Sequence, residues 1–444
     1  MDKLTLATEQ QRSAAQLGKD LTAILNDPLA PIAGYAVAVI DGNRILYKEC
    51  GGVSNVVHKD FRKYWPMKSS TRLRIASISK MFSAIAVMRL VEQGKLNLDA
   101  DVSNYVGFLL RNPNYPTDVI TLRMLLSHTS SLRDGSKYSI PPEYGIEEFF
   151  LKEGQYYGNG EHFADSQDGV ERQPGVFFAY TNLNYGVIGT VLERISGLRF
   201  DEFMKKNILE PMGMEASFNV GDFDERSIFE ISPLYMRYLD KITGKEHWLP
   251  QIDDYRGVLQ SRDQVLITNP DVGEENVVAD LTNYRIGTNG TLFSPQGGLR
   301  ISADELLLLI EMLLNDGKLN GKEFLQKKSV DMMFTPYWTH DHAKGNGDTY
   351  AGLMTCFGLG IHIMTAKERD RFIRNRDIIL SGHFGEAYGL LAGLFLDRTN
   401  KRGILYIING VGTPESGNSG QYSGMYRWEE KFCTAIFDNL FPNL

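Results

Sequence analysis

Strand-like apolar runs occur at both ends of the chain, and this placement constrains the fold more than any other sequence feature. Near the N-terminus, GYAVAVI and RILYKEC are joined by Asp41-Gly42-Asn43, and Asp-Gly between apolar runs predicts a β-hairpin. Near the C-terminus lie four more such runs, CFGLGIHIM, IILSGH, GLLAGLFLD and GILYIING. The simplest packing of these runs is one antiparallel sheet built from both ends of the chain.

Helical periodicity fills much of the chain between these strands. The stretch from Ala76 to Glu92 is apolar nearly all round, which predicts a helix buried inside the protein and ended by Gly94. A helix is also predicted at each terminus, up to about Asp27 and over about residues 424–437. These terminal helices are expected to cover the sheet.

We therefore predict an α/β fold, with one antiparallel sheet flanked by terminal helices and an inserted, mainly helical domain. Residues 1–75 and 291–444 are assigned to the sheet domain, and residues 76–290 to the helical domain. Within the helical domain, the stretch 221–290 is polar and mixed in pattern, and it is predicted to be a long irregular insertion.

Composition argues against several classes of function. The chain has 47 Lys and Arg against 55 Asp and Glu, a net charge of −8 without a basic stripe, which argues against nucleic-acid binding. No run of 18 or more apolar residues occurs, so no membrane span is predicted. The three cysteines are far apart and predict neither a disulfide framework nor a metal site.

The N-terminus lacks a secretory leader, which predicts a cytoplasmic protein unless an export signal was removed. The oligomeric state is left open.

The segment Ser77-Ile78-Ser79-Lys80 is the first candidate for chemistry. Ser77 and Lys80 are three residues apart at a helix start, so their side chains share one face. Serine needs a base to become a nucleophile, and lysine can be that base if burial lowers its pKa from about 10.4 towards 7 or 8. Taken alone, the pattern is also compatible with a serine at a helix start and a lysine extended to solvent.

Two other segments carry polar groups suited to a substrate amide. In PGVFFAYTN, Tyr180 and Asn182 can project together from a loop, where a tyrosine beside an ammonium group can have its pKa lowered and shuttle a proton, and an asparagine can bind an amide. The alternative is a core tyrosine followed by a capping asparagine. In SGHFG, the glycines around His383 allow a substrate backbone to approach a strand edge, although a plain glycine-rich turn is equally compatible.

Together, and in this order, Ser-x-x-Lys, Tyr-x-Asn and a late His-x-Gly resemble the serine β-lactamases and penicillin-recognising DD-peptidases. The similarity is greatest to class C β-lactamases, D-alanyl-D-alanine carboxypeptidases and family VIII esterases. Longer matching segments extend it over roughly residues 30–215 and 290–440, among them ITLRMLLSHTSSL, ILEPMGM and SPQGGLRISADEL. This resemblance implies a serine hydrolase without metal or cofactor, acting on a small-molecule or peptide substrate.

The resemblance also implies a role for individual residues. Ser77 would be the acylated nucleophile, Lys80 its proton-transfer partner and Tyr180 the general base or shuttle. Asn182 would hold the substrate amide, and His383 would occupy the place of the lysine of Lys-Thr-Gly. The oxyanion would be bound by the N–H groups of Ser77 and of a residue on the strand just after Gly385, here assigned to Ala387.

Two departures from the family pattern bear on the substrate. His383 replaces a permanently charged lysine, and Phe384 replaces the threonine or serine whose hydroxyl helps to bind a carboxylate. We therefore expect D-amino-acid peptides or small esters to be better substrates than β-lactams. A class C-like β-lactamase, a carboxylesterase and a catalytically silent scaffold remain as alternatives. With an ordinary pKa near 6.5, His383 is expected to gain charge towards pH 6 and then to favour carboxylate substrates.

Two histidine segments outside these motifs receive a structural interpretation. His128, in LLSHTS, is expected to be a buried structural residue. His340-Asp341-His342 lies in a polar segment without a third ligand nearby, which argues against a metal site.

Overall fold

The described residues contain a nine-stranded antiparallel sheet that takes strands from both ends of the chain. The computed structural model describes residues 3–42, 44–55, 65–166, 169–239, 244, 246–250, 261–267, 277–412 and 419–444. The strands are β1 (Gly34–Asp41), β2 (Arg44–Asn55), β3 (Trp65–Pro66), β4 (Arg72–Arg74), β5 (Tyr235–Leu239), β6 (Glu246–Pro250), β7 (Gln264–Ile267), β8 (Val277–Asp280), β9 (Arg300–Ser302), β10 (Lys318–Leu319), β11 (Lys322–Glu323), β12 (Trp338–Thr339), β13 (Cys356–Phe357), β14 (His362–Ile363), β15 (Ser381–Ala387), β16 (Leu390–Asp397) and β17 (Arg402–Asn409).

The order of strands in this sheet joins the two ends of the chain. From one edge to the other the order is β12, β13, β14, β15, β16, β17, β1, β2 and β3. Strand β1 pairs with β17 along its whole length, with Gly34 opposite Asn409 and Asp41 opposite Arg402. The predicted pairing of the N-terminal hairpin with the strands near residues 390–410 is therefore confirmed.

Helices cover both faces of the sheet. The α-helices are α1 (Lys3–Leu25), α2 (Ser79–Glu92), α3 (Ser103–Val106), α4 (Leu122–Leu126), α5 (Leu183–Ser196), α6 (Phe200–Met204), α7 (Glu225–Glu230), α8 (Ala303–Leu314), α9 (Lys327–Met333) and α10 (Arg427–Leu440). On one face, the terminal helices α1 and α10 pack on Tyr406 and Phe395 through residues such as Leu21 and Phe432. On the other face, α8 packs on β1, β16 and β17. Because both faces are buried, β16 and β17 have nearly continuous apolar sequences, which explains runs such as GLLAGLFLD.

The predicted α/β architecture, with terminal helices on the sheet and a mainly helical segment between its strands, is confirmed. The predicted domain limits at residues 75 and 290 stay a prediction. A short two-stranded sheet of β4 and β9 flanks the helical segment at both of its ends. No helix among the described residues is both long enough and apolar enough to cross a membrane.

The stretch 221–290 is more regular than its sequence suggests. Its described residues form α7 and two separate hairpins, β5 with β6 and β7 with β8. The prediction of an irregular insertion is therefore wrong for these parts. The sequence does not predict these strands because they are short and carry a mixed polar pattern. The remaining residues of this stretch lie outside the described part of the chain.

Candidate active site

Ser77 lies on a tight 3-10 turn, Ala76–Ile78, that leads directly into α2. The residue before it, Ala76, has a φ of +50°, a conformation that is costly for a residue with a side chain. The turn is held by the surrounding chain: Ile75 N–H donates to the Leu299 carbonyl at 2.9 Å. The result is a half-buried serine at the start of a buried helix, as the sequence predicts.

Lys80 is fully buried one turn further along, and its ammonium group has three hydrogen-bond acceptors. Nζ donates to Ser77 Oγ at 2.9 Å, to Asn182 Oδ1 at 2.9 Å and to the Gln296 carbonyl at 3.0 Å. Burial lowers the pKa of Lys80 to about 7, while the negative charge of Asp134 opposes that shift. A lysine with this pKa is neutral in a large fraction of molecules near pH 7, so it can accept a proton from serine. The alternative of a lysine extended to solvent is wrong.

Tyr180 is partly buried between Lys80 and the strand that carries His383. Its ring stacks on His128 at 4.3 Å, Lys80 Nζ lies 4.8 Å from the ring centroid, and its hydroxyl lies 3.5 Å from His383 Nε2. Burial raises the pKa of Tyr180 well above its ordinary value, although a hydrogen bond with Ser77 opposes this. The expectation that a nearby ammonium lowers this pKa is therefore wrong, because desolvation outweighs the charge. At neutral pH the group is a phenol.

Asn182 is held in one orientation by a carboxylate that the sequence analysis missed. Its Nδ2 donates to Asp134 Oδ2 at 2.9 Å, while the backbone N–H of Leu183 donates to Asp134 Oδ1 at 2.8 Å. The amide oxygen of Asn182 is then directed at Lys80. Asp134 precedes Gly135, which is typical of a turn, so its sequence context gave no sign of this role. Burial raises the pKa of Asp134, and its hydrogen bonds and the Lys80 charge oppose that shift.

His383 lies on β15 with only 1% of its surface exposed. Its Nδ1 is 2.6 Å from the Phe384 carbonyl, so the proton is assigned to Nδ1, and Nε2 is left as an acceptor facing Tyr180. Burial, together with the positive charge of Lys80, lowers the pKa of His383 to about 3. The expectation that His383 gains charge towards pH 6 is therefore wrong, because a buried imidazole beside a lysine stays neutral there.

Phe384 points away from the face of the sheet that carries His383. Its ring packs on Phe395 with centroids 4.6 Å apart, in the core beneath the terminal helices. Side chains alternate along a strand, so neighbours in sequence lie on opposite faces. The residue still lines part of the cleft, and it offers no hydroxyl there.

Gly385 allows β15 to approach the Ser77 turn closely. A Cβ added at Gly385 would lie 2.6 Å from the Ile75 carbonyl oxygen, a distance that real Cβ atoms essentially never show. A side chain at this position would therefore separate the strand from the serine. The glycine is needed for this contact, which excludes the alternative of a plain glycine-rich turn.

The hairpin register bears on the second oxyanion donor. Ala387 lies opposite Leu390 across a two-residue turn, Tyr388-Gly389, with φ values of +51° and +84°. In such hairpins the residues flanking the turn exchange backbone hydrogen bonds, so the Ala387 N–H is directed at β16. The assignment of Ala387 is therefore wrong. Since N–H directions alternate along a strand, the Glu386 N–H points to the other edge, which β14 leaves open beyond Gly382.

These groups converge on one cleft of about 420 Å³. Its lining includes Ser77, Tyr180, Asn182, His383, Gly385, Glu386 and Ala387, and further Arg74, Tyr138, Gln296, Tyr350, Tyr388 and Tyr426. Lys80 lies directly beneath it and reaches the cleft through Ser77. The cleft thus brings together the Ser77 hydroxyl, a lysine with a lowered pKa, the Tyr180 phenol and the edge of β15 at which the Glu386 N–H points.

His128 and His342 do not line the cleft. His128 is 1% exposed, and its Nδ1 accepts the backbone N–H of Thr181 at 3.0 Å, which confirms a buried structural residue. His342 contacts Glu368 at 3.0 Å on the surface. Within the described part of the chain, no group of three or more His, Cys, Asp or Glu residues is arranged to hold a metal ion.

Comparison with known proteins gives one family over almost the whole chain. A family model described as Beta-lactamase matches residues 22–423. Protein flp of Staphylococcus aureus (strain N315) is 25% identical over 302 residues, which cover 62% of this chain and 57% of that protein. The match thus spans just over half the length of this relative.

Solved structures agree on the fold. A penicillin-binding protein homologue from Pyrococcus abyssi, described as octameric, has a TM-score of 0.61 and 21% identity over 96% of this chain and 77% of its own. A D-amino acid amidase from Ochrobactrum anthropi SV3, complexed with L-phenylalanine amide, has a TM-score of 0.61 and 18% identity over 95% of this chain and 99% of its own. At these identities the likeness shows the fold alone.

Proposed function

The chain belongs to the beta-lactamase family, and from this premise we propose that it is a serine hydrolase that cleaves amide or ester bonds through an acyl-enzyme on Ser77. The observation that carries the proposal is the contact of 2.9 Å between Ser77 Oγ and a buried lysine whose pKa is lowered to about 7. A buried lysine is costly because its charge is removed from water. Neither a serine that only starts a helix nor a catalytically silent scaffold requires a buried lysine in this position.

Acylation follows from the positions of these groups. The neutral amine of Lys80 accepts the Ser77 hydroxyl proton while Oγ attacks the substrate carbonyl carbon. The N–H groups of Ser77 and Glu386 donate to the oxyanion that forms. Tyr180, a phenol at neutral pH, relays the proton to the leaving amine or alcohol, and the C–N or C–O bond breaks. Ser77 is left as an ester.

Deacylation uses the same groups in the reverse sense. A water molecule gives a proton through Tyr180 to Lys80 while its oxygen attacks the ester carbon. Collapse of the second tetrahedral intermediate returns that proton to Ser77 Oγ and releases the substrate's acid. Asn182, held by Asp134, keeps its amide oxygen on Lys80 and has one amide hydrogen left for the substrate.

The substrate class follows from the charges beside Ser77. His383 is neutral and Phe384 offers no hydroxyl, so neither of these two positions of β15 has a side chain that would bind a free carboxylate. We propose neutral esters and amides, including D-amino-acid peptides, as the better substrates and β-lactams as weak ones. A class C-like β-lactamase is the second candidate, because Arg74 lines the same cleft and is a group that can bind a carboxylate.

A substrate panel tests the proposal. A p-nitrophenyl ester, nitrocefin and a D-Ala-D-Ala peptide are offered to the parent and to Ser77→Ala, with Ser70→Ala as a control serine on the surface. We expect turnover of the ester at least 10-fold above nitrocefin in kcat/KM, and its loss only in Ser77→Ala. Faster turnover of nitrocefin would favour the second candidate. No turnover of any substrate would favour a catalytically silent scaffold.

A further inference from the structure

The charges along the β15 segment beside Ser77 are the opposite of those that a carboxylate substrate needs. His383 is neutral, the Phe384 ring is turned into the core, and Gly385 has no side chain. The next residue, Glu386, is acidic and exposed on the cleft wall. The strand therefore offers a substrate one charged side chain, and that charge is negative.

Among the described residues, Glu386 has a hydrogen-bond partner on one of its two carboxylate oxygens. Its Oε1 accepts the Tyr426 hydroxyl at 2.7 Å, and within the described part of the chain no lysine, arginine or histidine forms an ion pair with it. A carboxylate keeps four lone-pair positions, so most of its acceptor capacity faces the cleft. An ammonium group, with three donors, is the complementary ligand.

The surrounding wall is also suited to a cation. Tyr426 lines the cleft beside Glu386, and Tyr350, Tyr138 and Tyr388 line other parts of it. Aromatic rings attract cations through their negative faces, so a carboxylate among tyrosines binds an ammonium better than the carboxylate alone. An anionic substrate gains nothing from this part of the wall.

The position of Glu386 relates this charge to the bond that is cleaved. Its backbone N–H is the candidate donor to the substrate carbonyl oxygen, and its side chain, on the same face of β15 as Phe384, reaches the cleft wall beside Tyr426. In an amino-acid amide or ester, the ammonium is bound to the carbon next to that carbonyl. Because Ser77 and Glu386 line the same cleft, an ammonium on that carbon enters the cleft whose wall carries the Glu386 carboxylate.

Resting on the proposed acyl-enzyme function, we propose that Glu386 binds the free α-ammonium of an aminoacyl substrate. The preferred substrates are then amides or esters of amino acids with an unblocked amino group, and N-acylated substrates are disfavoured. Arg74 is the competing charge in the cleft. Its Nε donates to the Gly297 carbonyl at 3.1 Å and its guanidinium lies 5.7 Å from the Tyr388 ring centroid. A substrate that carries a carboxylate in place of the ammonium tests whether Arg74, rather than Glu386, determines which charge is bound.

The experiment compares three p-nitroanilides or p-nitrophenyl esters of one amino acid at pH 7.0, where an α-amino group with a pKa of about 7.7–8.0 is mostly charged. The first has a free amino group, the second is N-acetylated and the third is N-succinylated. Both D and L forms are used. We measure kcat/KM for the parent, for Glu386→Gln, which keeps size and backbone N–H, and for the exposed control Glu323→Gln.

In the parent we expect the free amine to exceed the acetylated substrate by about 10- to 100-fold in kcat/KM, the range for a charge-assisted hydrogen bond. This ratio should fall by about 10-fold or more in Glu386→Gln and stay at the parent value in Glu323→Gln. A parent ratio near one, a preference for the succinylated substrate, or a ratio unchanged in Glu386→Gln would overturn the proposal.

A separate readout distinguishes these outcomes from failure of the acyl-enzyme function. Each variant is treated with a fluorophosphonate, and its intact mass shows whether Ser77 is modified. If the parent is modified and turns over the acetylated substrate at least as fast as the free amine, the function stands and only the assignment of Glu386 is wrong. If the parent is neither modified nor active on any substrate, both proposals fail.

Discussion

Replacing Asp134 with asparagine should move the acid limb of the pH profile to lower pH. Asp134 is joined to Lys80 through the Asn182 amide by two hydrogen bonds of 2.9 Å each. Its negative charge favours the protonated form of Lys80 and so raises a pKa that burial lowers to about 7. Asparagine removes the charge at nearly constant volume. The lysine then loses its proton at lower pH, and the base form persists further into the acid range.

The geometry sets the size of this shift. Two hydrogen bonds in series across one amide place the charges at most about 8 Å apart, which at an effective dielectric constant of about 20 gives about 2 kcal/mol, or about 1.5 pKa units. Since Lys80 acts as a base only when neutral, activity rises with pH as its proton is lost. The midpoint of that rise should move from near pH 7 to about pH 5.5.

The same substitution should also reduce the rate on the plateau. The asparagine that replaces Asp134 can offer one oxygen to either Asn182 Nδ2 or Leu183 N–H, and its own NH₂ group opposes the other donor. One hydrogen bond is lost, Asn182 is free to turn its amide, and kcat should fall about 10-fold for a loss of about 1.4 kcal/mol.

The assay is kcat/KM for a neutral p-nitrophenyl ester from pH 5 to 9, read at the isosbestic wavelength of p-nitrophenol. The control is Asp99→Asn, which removes an exposed carboxylate paired with Arg123 at 2.6 Å and should leave the midpoint in place. A midpoint that does not move in Asp134→Asn, or that moves upward, would refute the electrostatic link between Asp134 and Lys80. A lower plateau without a shift would leave Asp134 with an orienting role only.

Three further predictions concern β15 and the Ser77 turn. Gly385→Ala should reduce kcat at least 10-fold and destabilise the protein by about 1–3 kcal/mol, because the added Cβ meets the Ile75 carbonyl at 2.6 Å. Ester turnover measures the loss of kcat, and thermal unfolding measures the loss of stability. The ratio of nitrocefin to ester turnover should stay constant from pH 5.5 to 8, because burial lowers the pKa of His383 to about 3 and keeps it neutral throughout; a ratio that rises as the pH falls would contradict this. Lys80→Ala should lower ester turnover nearly as much as Ser77→Ala, and the double variant should be no worse, because nucleophile and base act as a unit.

The sequence predicts those parts of the molecule that depend on local pattern or on continuous motifs. The hairpin at Asp41-Gly42 and the apolar helix after Ser77 follow from turn residues and periodicity. The pairing of β1 with β17 follows from the apolar strand-like runs at both ends of the chain, because the simplest way to bury such strands is to place them in one sheet. A lowered pKa for Lys80 follows from placing a lysine in an apolar helix.

What the sequence misses depends on register and on contacts between distant segments. Asp134 is adjacent to glycine in a turn, and only the fold brings it to Asn182, 48 residues away. The choice between Ala387 and Glu386 depends on which N–H groups face β16, and the two-residue turn at Tyr388 decides that. The charge state of His383 depends on its burial beside Lys80. The ordinary histidine pKa used in the sequence analysis applies to an imidazole exposed to solvent and does not include this burial.

The central claim is that Ser77 carries the acyl group, and a trapped intermediate tests it most directly. The parent is mixed with an excess of an activated ester, quenched in acid within the first turnovers and digested, and the mass of each peptide is measured. We expect one acyl group per chain, on the peptide that contains Ser77, with none in Ser77→Ala and an unchanged fold by circular dichroism. An acyl group on another residue, or full ester turnover by Ser77→Ala, would contradict the account.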